Sequence, residues 1–193
     1  MKAFAILLTW FLLVGIPSLA AARDDDRVEA SLSGYNEVHF IFSPGPPASA
    51  ALRGAVSTPA RGKFRAKIDK KSALIQYELS YQDLVGAVTQ AHIHFGQAST
   101  VGGIVVWLCQ TAGTPAPAAV AALTPFCPPA GTVLGTITAA QVLTVTGQGI
   151  LAGEFDELVE AIRAGATYAN VHSTEFPPGE IRDQISSDDR HHR

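Results

Sequence analysis

The sequence predicts an all-β fold, an antiparallel β-sandwich with one short helix. Short segments that alternate apolar and polar residues recur along the chain, and 17 glycines and 12 prolines punctuate its 193 residues. A single segment has the periodicity of an amphipathic helix. Because period-2 alternation between turn signals indicates strands that bury one face, these observations favour two packed antiparallel layers.

The clearest strands are the two that flank a polar turn at Lys70–Ser72, in the segment KFRAKIDKKSALIQYELSY. Apolar residues alternate with polar or charged ones on both sides of the turn. A helix cannot bury both apolar sets, whereas two paired strands can. The segment therefore predicts an antiparallel hairpin with one solvent-exposed face.

The remaining elements follow the same signals. Further strands are predicted at residues 28–32, 51–57, 88–95, 104–108, 132–138, 167–173 and 180–185, with a loop at 43–49. The helix is predicted in EFDELVEAIRAG, where Phe155, Leu158, Val159 and Ile162 share one face and acidic residues occupy the first turn. Gly165 stands where a left-handed residue ends a helix.

The chain ends predict an exported domain with polar termini. The apolar run from Ala3 to Ile16 follows one lysine and precedes small residues, which is typical of a secretory signal peptide. The run is shorter than the roughly 20 residues that span a bilayer, so no transmembrane segment is expected. The predicted divisions are a signal peptide at 1–22, a flexible acidic linker at 23–28, one domain at 29–185 and a disordered tail at 186–193.

Charge and cysteine content narrow the class of protein. The formal net charge is −3 and the chain has no basic cluster, which argues against nucleic-acid binding. Cys109 and Cys127 are the only cysteines, and an even pair in an exported chain indicates a disulfide. The segment between them holds three prolines and predicts a loop, whose closure stabilises the fold by about 3 kcal/mol.

Two strands carry the candidate site. In QAHIHFG, His92 and His94 lie on the same side of a strand, about 6–7 Å apart, opposite the apolar residues. In TYANVHS the same alternation places Tyr168, Asn170 and His172 on the outer side. If these strands are neighbours, three imidazoles meet on an outer surface. Neutral imidazoles suit copper and zinc, so the three histidines are a candidate metal site.

A structural interpretation of the same residues stays open. The histidines can instead form hydrogen bonds with Glu180, Tyr168 or the backbone and organise the sheet edge. Glu180 and Arg182 share the polar side of the last strand and are expected to form surface ion pairs with charges across the sheet, such as Arg163 or Glu175. Glu180 and Arg182 are also candidates for the edge of the histidine site.

Longer motifs resemble one known family. The segments AHIHFG, the Gly-Gly before IVVWLC, AIRAGATYANVHSTEFPPGEIRDQI and the opening LSGYNEV resemble the CHRD domain, which is named after chordin. The resemblance covers about Glu29–Ile185, with Asp183 where the family usually has glycine and Ser173 where threonine is common. It implies an extracellular β-sandwich module and no agreed activity.

A shorter likeness points towards copper. HIHFG and NVHS are similar to the His-Val-His and Val-His segments of copper/zinc superoxide dismutase, so an immunoglobulin-like or dismutase-like Greek key is expected. That enzyme needs a bridging histidine and further zinc ligands, whereas the predicted domain at 29–185 has only His39 to spare. Patterns for a nucleophilic serine, a phosphate-binding glycine loop and a calcium loop are missing from the sequence.

The sequence therefore predicts a secreted, non-enzymatic CHRD module without a certain cofactor. Its expected partner is an extracellular protein or a component of the cell envelope, bound through the outer surface of His92, His94, Tyr168, Asn170, His172, Glu180 and Arg182. The alternative is a copper- or zinc-binding protein that uses the three histidines, with superoxide dismutation as a remote extension.

Overall fold

The computed structural model describes residues 26–43 and 49–187, which contain eleven strands and one α-helix. The strands are β1 (Arg27–Ser33), β2 (Val38–Ser43), β3 (Ser49–Gly54), β4 (Arg61–Asp69), β5 (Leu74–Gln82), β6 (Val88–Phe95), β7 (Gly103–Cys109), β8 (Gly131–Ile137), β9 (Thr167–Ser173), β10 (Ile181–Gln184) and β11 (Ser186–Ser187). The helix, α1, spans Phe155–Arg163 and lies between β8 and β9 in the chain.

One curved antiparallel sheet makes up most of the structure. Its strand order is β7-β6-β9-β10-β1-β4-β5-β8, with the short β11 also pairing with β1, while β2 and β3 form a separate hairpin. The end strands β7 and β8 approach each other, so the sheet curls into a nearly closed barrel or sandwich. The prediction of an antiparallel all-β fold with one helix is confirmed.

The β4–β5 hairpin buries one face and exposes the other. The apolar side chains Phe64, Ile68, Ile75 and Leu79 are at most 1% exposed. The alternate residues of β4 are accessible, and the side chain of Arg65 is 58% exposed. Because each buried side chain of this size contributes about 1.5–3 kcal/mol, the hairpin anchors the core as its pattern predicts.

Helix α1 also agrees with its sequence pattern. Phe155, Leu158, Val159 and Ile162 are buried and pack in the main core. Gly165 follows the helix with a φ of +70°, a left-handed conformation that glycine adopts without steric cost. No helix within 26–43 and 49–187 has the length and apolarity that a membrane span needs.

The predicted disulfide is present and fastens a long loop. Cys109, at the end of β7, is bonded to Cys127. Inside the loop, the Gln110 side chain donates hydrogen bonds to the carbonyl oxygens of Ala121 and Thr124 and accepts one from the amide of Ala116. The loop therefore has a defined shape and is held close to β7.

The structure differs from the sequence prediction at the early strands and at the domain ends. The predicted strand at 51–57 is β3, shifted towards the N-terminus, and it pairs with β2, which the pattern leaves unassigned. Strand β1 begins at Arg27, inside the predicted linker, and β11 falls in the predicted tail. The signal peptide and the remaining parts of the linker, of the 43–49 loop and of the tail lie outside the described residues.

Candidate functional site

The register of β6 and β9 brings the three histidines together. The two strands are antiparallel neighbours, with His92 opposite Asn170 and with His172 opposite Gln90. His92 and His172 are therefore diagonal neighbours on one face, and a ring spacing of 4.8 Å results. The His94 ring lies 5.3 Å from that of His92 and 6.0 Å from that of His172. The expectation that the histidine strands are neighbours is confirmed.

The position of this cluster on an outer surface was wrongly predicted. His92 is 0% exposed, His94 8% and His172 5%, and the other predicted outer residues are equally covered. These buried polar residues are Tyr168, Asn170, Glu180 and Arg182. Alternation assigns the histidines correctly to the face opposite Ala91, Ile93 and Val171, yet that face is also covered.

Connections between strands form the cover. The turn between β6 and β7 supplies Thr100 and Gly102, and the turn between β9 and β10 supplies Pro177. Ala116 and Val120 of the cysteine loop pack against Trp107 of β7, which lies beside the His92 ring at 4.3 Å. Among the described side chains, these loops supply the cover of the face.

Backbone carbonyls fix the protonation pattern of the rings. Nδ1 of His94 is 2.9 Å from the carbonyl oxygen of Gly102, and Nδ1 of His172 is 2.9 Å from that of Pro177. Because a carbonyl only accepts, both Nδ1 atoms carry the proton and both Nε2 atoms carry a lone pair. Nδ1 of His92 lies 3.1 Å from Nε2 of His172 and must donate to it.

Two lone pairs in this cluster have no hydrogen-bond donor. The Nε2 atoms of His92 and His94 are buried and form no hydrogen bond with any residue that the structure describes. Each of the three rings offers one potential ligand atom, and these three atoms lie within 4.8 Å of one another. In the described part of the chain, this grouping contains no carboxylate and no thiol.

Burial keeps the rings of His92 and His94 neutral. Loss of hydration lowers the pKa of His92 well below its usual value, and the neighbouring His172 and His94 rings lower it further. The pKa of His94 falls to about 3, chiefly because of the same loss of hydration. Since only the neutral ring carries a lone pair, both side chains are in the form that binds metal ions at physiological pH.

A second layer of buried polar groups flanks the histidines. The Tyr168 ring stacks parallel to His94, at 4.8 Å between ring centres, and the Arg182 guanidinium lies 3.6 Å from its centre. Arg182 also donates a hydrogen bond to the carbonyl oxygen of Thr100. The Tyr168 hydroxyl accepts a hydrogen bond from the amide of Gly102, so the layer shares the turn that holds His94.

Glu37 is a member of this layer that sequence reasoning missed. Its carboxylate accepts hydrogen bonds from the Asn170 side chain and the amide of Val38. Burial raises its pKa to about 7, although both hydrogen bonds and the nearby charge of Arg182 oppose the increase. The segment LSGYNEV gave no signal that this glutamate would be buried 133 residues away from Asn170 in the chain.

The prediction of a surface ion pair at Glu180 and Arg182 is also wrong. Glu180 is 0% exposed, and its Oε1 accepts hydrogen bonds from the Thr58 hydroxyl and the amide of Val85. Arg163 instead forms ion pairs with Asp26 and Glu160. Glu180 therefore links connecting segments of the fold and does not lie in the ligand grouping of the histidines.

The comparison with known proteins gives one result. The model of the CHRD domain family matches residues 28–185, which is most of the chain. No curated protein and no solved structure matches the sequence significantly.

Proposed function

Because this chain belongs to the CHRD domain family, we propose that it is an exported module of that family whose buried histidine cluster binds one copper or zinc ion. The observation that carries the proposal is that the buried histidines His92, His94 and His172 each offer a ligand atom within 4.8 Å of the other two. Family membership assigns no reaction to the chain.

The hydrogen bonds behind the rings support metal binding. Histidines that bind metals commonly donate their other ring N–H to a carbonyl or a carboxylate, which fixes the tautomer and the ring orientation. His94 and His172 make this bond to Gly102 and Pro177. The buried Nε2 lone pair of His94 otherwise remains without a donor among the described residues, which costs about 1–3 kcal/mol.

The ring spacing also supports a shared ion. Two nitrogens bound to one ion at about 2.0–2.1 Å stand about 3.4 Å apart in tetrahedral geometry. Nδ1 of His92 and Nε2 of His172 are 3.1 Å apart, already close to this value. If the proton of His92 moves from Nδ1 to Nε2, Nδ1 of His92 and Nε2 of His172 both present a lone pair to the ion. The His92 ring stays neutral in this change.

We propose binding without catalysis. The rings are covered by loops, and the polar groups beside them are engaged in the fold, with Glu37 bonded to Asn170 and with Arg182 stacked on Tyr168. A dismutase needs an accessible ion, so the burial of all three histidines argues against that activity.

Export is part of the proposal. The predicted signal peptide at residues 1–22 supports it, and the Cys109–Cys127 disulfide is a bond that persists in oxidising compartments. An extracellular or periplasmic location follows. Binding to a protein or envelope partner stays a prediction, and such a partner must contact a surface other than the buried residues of the histidine cluster.

Titration with Zn(II) and Cu(II) by calorimetry tests the proposal on exported protein that carries no affinity tag. We expect one ion per chain, with an affinity that falls about 100-fold when His92 or His172 is replaced by alanine. The matched control replaces the three other histidines, His39, His191 and His192, with alanine and should keep the site. Equal binding by the His92→Ala variant and the wild-type protein would refute the proposal.

A further inference from the structure

We infer that the ion this site is built to hold is copper in its monovalent state, an inference that rests on the proposed metal-binding function. The geometry points to a three-coordinate ion bound by neutral imidazoles from His92, His94 and His172 alone. Three features of the site carry the inference: its ligand count, its charge and its donor chemistry.

The ligand count does not suit zinc. Zinc in proteins takes four ligands, and a site with three protein ligands completes its set with water or substrate. His92 is 0% exposed and lies under the Trp107 ring, while the Gly102 and Pro177 carbonyls close the backs of the other two rings. Copper(I) is a closed-shell ion that three ligands satisfy, so it needs no solvent ligand at this site.

The charge of the site favours a monovalent ion. All three ligands are neutral, and no carboxylate among the described residues joins them. By Born solvation, the cost of burying an ion rises with the square of its charge, so a divalent ion costs about four times as much as a monovalent one.

The surrounding charges act in the same direction. The Arg182 guanidinium lies one aromatic ring away from His94, on the far face of Tyr168. Its repulsion of a bound cation doubles when the charge of the ion doubles. Glu37, the buried carboxylate of this layer, is bonded to Asn170 and lies outside the ligand grouping.

The donor chemistry suits copper without competition from sulfur. Imidazole binds copper well, and softer thiolates would compete for copper(I) if the chain carried them. Its only two cysteines, Cys109 and Cys127, are joined in the disulfide. The histidine cluster would therefore bind copper(I) without competition from thiolates of this chain while that bond is intact.

The test is an anaerobic competition for copper(I) between the exported protein and a coloured copper(I) chelator such as bathocuproine disulfonate. Ascorbate serves as the reductant because thiol reagents would open the disulfide and create new ligands. Zinc affinity is measured in parallel with a coloured zinc chelator. We expect copper(I) to bind about 100-fold more tightly than zinc and to be lost in the His92→Ala and His172→Ala variants.

A second measurement needs no variant. The X-ray absorption spectrum of the copper(I)-loaded wild-type protein should show three nitrogen neighbours at about 2.0 Å and no sulfur. Retention of copper(I) by the His39→Ala/His191→Ala/His192→Ala control is also expected. Four nitrogens, or any sulfur, in the spectrum would overturn the inference.

The remaining outcomes separate this inference from the proposal beneath it. If zinc or copper(II) binds more tightly than copper(I), and this binding is lost in the His92→Ala variant, the copper(I) inference is overturned and the metal-binding function is kept. Absence of specific binding by any of the three ions would overturn both. Copper(I) that is retained by His92→Ala but lost in the triple control would also overturn both.

Discussion

The β4–β5 hairpin and the β6–β9 pair have the same alternation of apolar and polar residues, but their polar faces have different surroundings. In the hairpin the polar face meets solvent, and the Arg65 side chain is 58% exposed. In β9 every residue from Thr167 to Ser173 is buried. Alternation therefore separates the two faces of a strand without saying what lies over each of them.

The difference arises from the loops that cross the second polar face. Thr100 reaches Arg182 across 82 residues of chain, and Glu37 reaches Asn170 across 133. Polar groups that lose water must find partners inside the protein, and these loops provide backbone and side-chain partners. A covered polar face is consequently a place where one side chain affects several neighbours.

The largest expected effect is that of Arg182→Ala. The substitution removes a buried guanidinium that stacks on Tyr168, bonds to Thr100 and attracts Glu37. We expect the free energy of unfolding to fall by about 4 kcal/mol, measured by urea denaturation. A loss below about 1 kcal/mol, the value typical of exposed ion pairs, would mean that the two faces are energetically alike.

Removal of the disulfide tests whether the cysteine loop holds its place over Trp107 and the histidine face. The Cys109→Ala/Cys127→Ala variant frees the loop that packs Ala116 and Val120 on Trp107. We expect a loss of about 3 kcal/mol in the free energy of unfolding, because the unfolded loop is no longer constrained. Trp107 is the only tryptophan after residue 22, so in the exported protein its emission should move to longer wavelength as water reaches the ring. Unchanged emission would show that the cover does not depend on the disulfide.

The pH dependence of stability reports on Glu37. Its pKa rises from 4.5 to about 7 on burial, so the folded state holds a proton that the unfolded state releases. Stability from this group is complete below pH 4.5 and is lost as the pH rises to about 7, by an amount on the order of 3 kcal/mol.

The Glu37→Gln variant isolates this contribution because its side chain does not titrate. The free energy of unfolding of the variant minus that of the wild type should increase from pH 4.5 to pH 7.5, because only the wild type loses this contribution. Denaturation at each pH measures the difference. A constant difference between the two proteins over that range would contradict the raised pKa.

The smallest effect is expected on the exposed face of the hairpin. The exposed Arg65 lies 3.8 Å from the accessible Glu78 and 4.0 Å from Glu29, whose side chain is 14% exposed. Arg65→Ala should therefore change the free energy of unfolding by less than about 0.5 kcal/mol, and added salt should reduce the change further. A loss similar to that of Arg182→Ala would remove the contrast between the faces.

Much of the fold could be predicted from local pattern. The hairpin, helix α1 and the strands that carry the histidines have strong periodicity and clear turn signals, and they occur where the sequence indicates. Strand β2 was missed because its pairing with β3 depends on a partner across the 44–48 segment. Propensity within β2 does not contain that information.

The candidate site was only half predictable. The spacing of His92 and His94 identified two members of the histidine cluster, and the strand with His172 supplied the third. The sequence did not identify the residues that surround the histidines, which are Trp107, Gly102, Pro177 and Glu37. A tryptophan in an apolar strand, two loop carbonyls and a single glutamate have no distinctive sequence pattern. Their roles arise from contacts between segments that are distant in sequence.

The sequence by itself determined which residues form strands, which side of each strand joins the core, and which cysteines pair. The strands and their core-facing sides follow from side-chain periodicity, which is a local property of the sequence. The pairing of the cysteines follows from their number, since two cysteines allow one disulfide. Only the tertiary structure decided that the opposite side of β6 and β9 is buried and that burial lowers the pKa values of His92 and His94. The physical reason is that burial depends on whatever packs above a face, and here distant loops supply that cover.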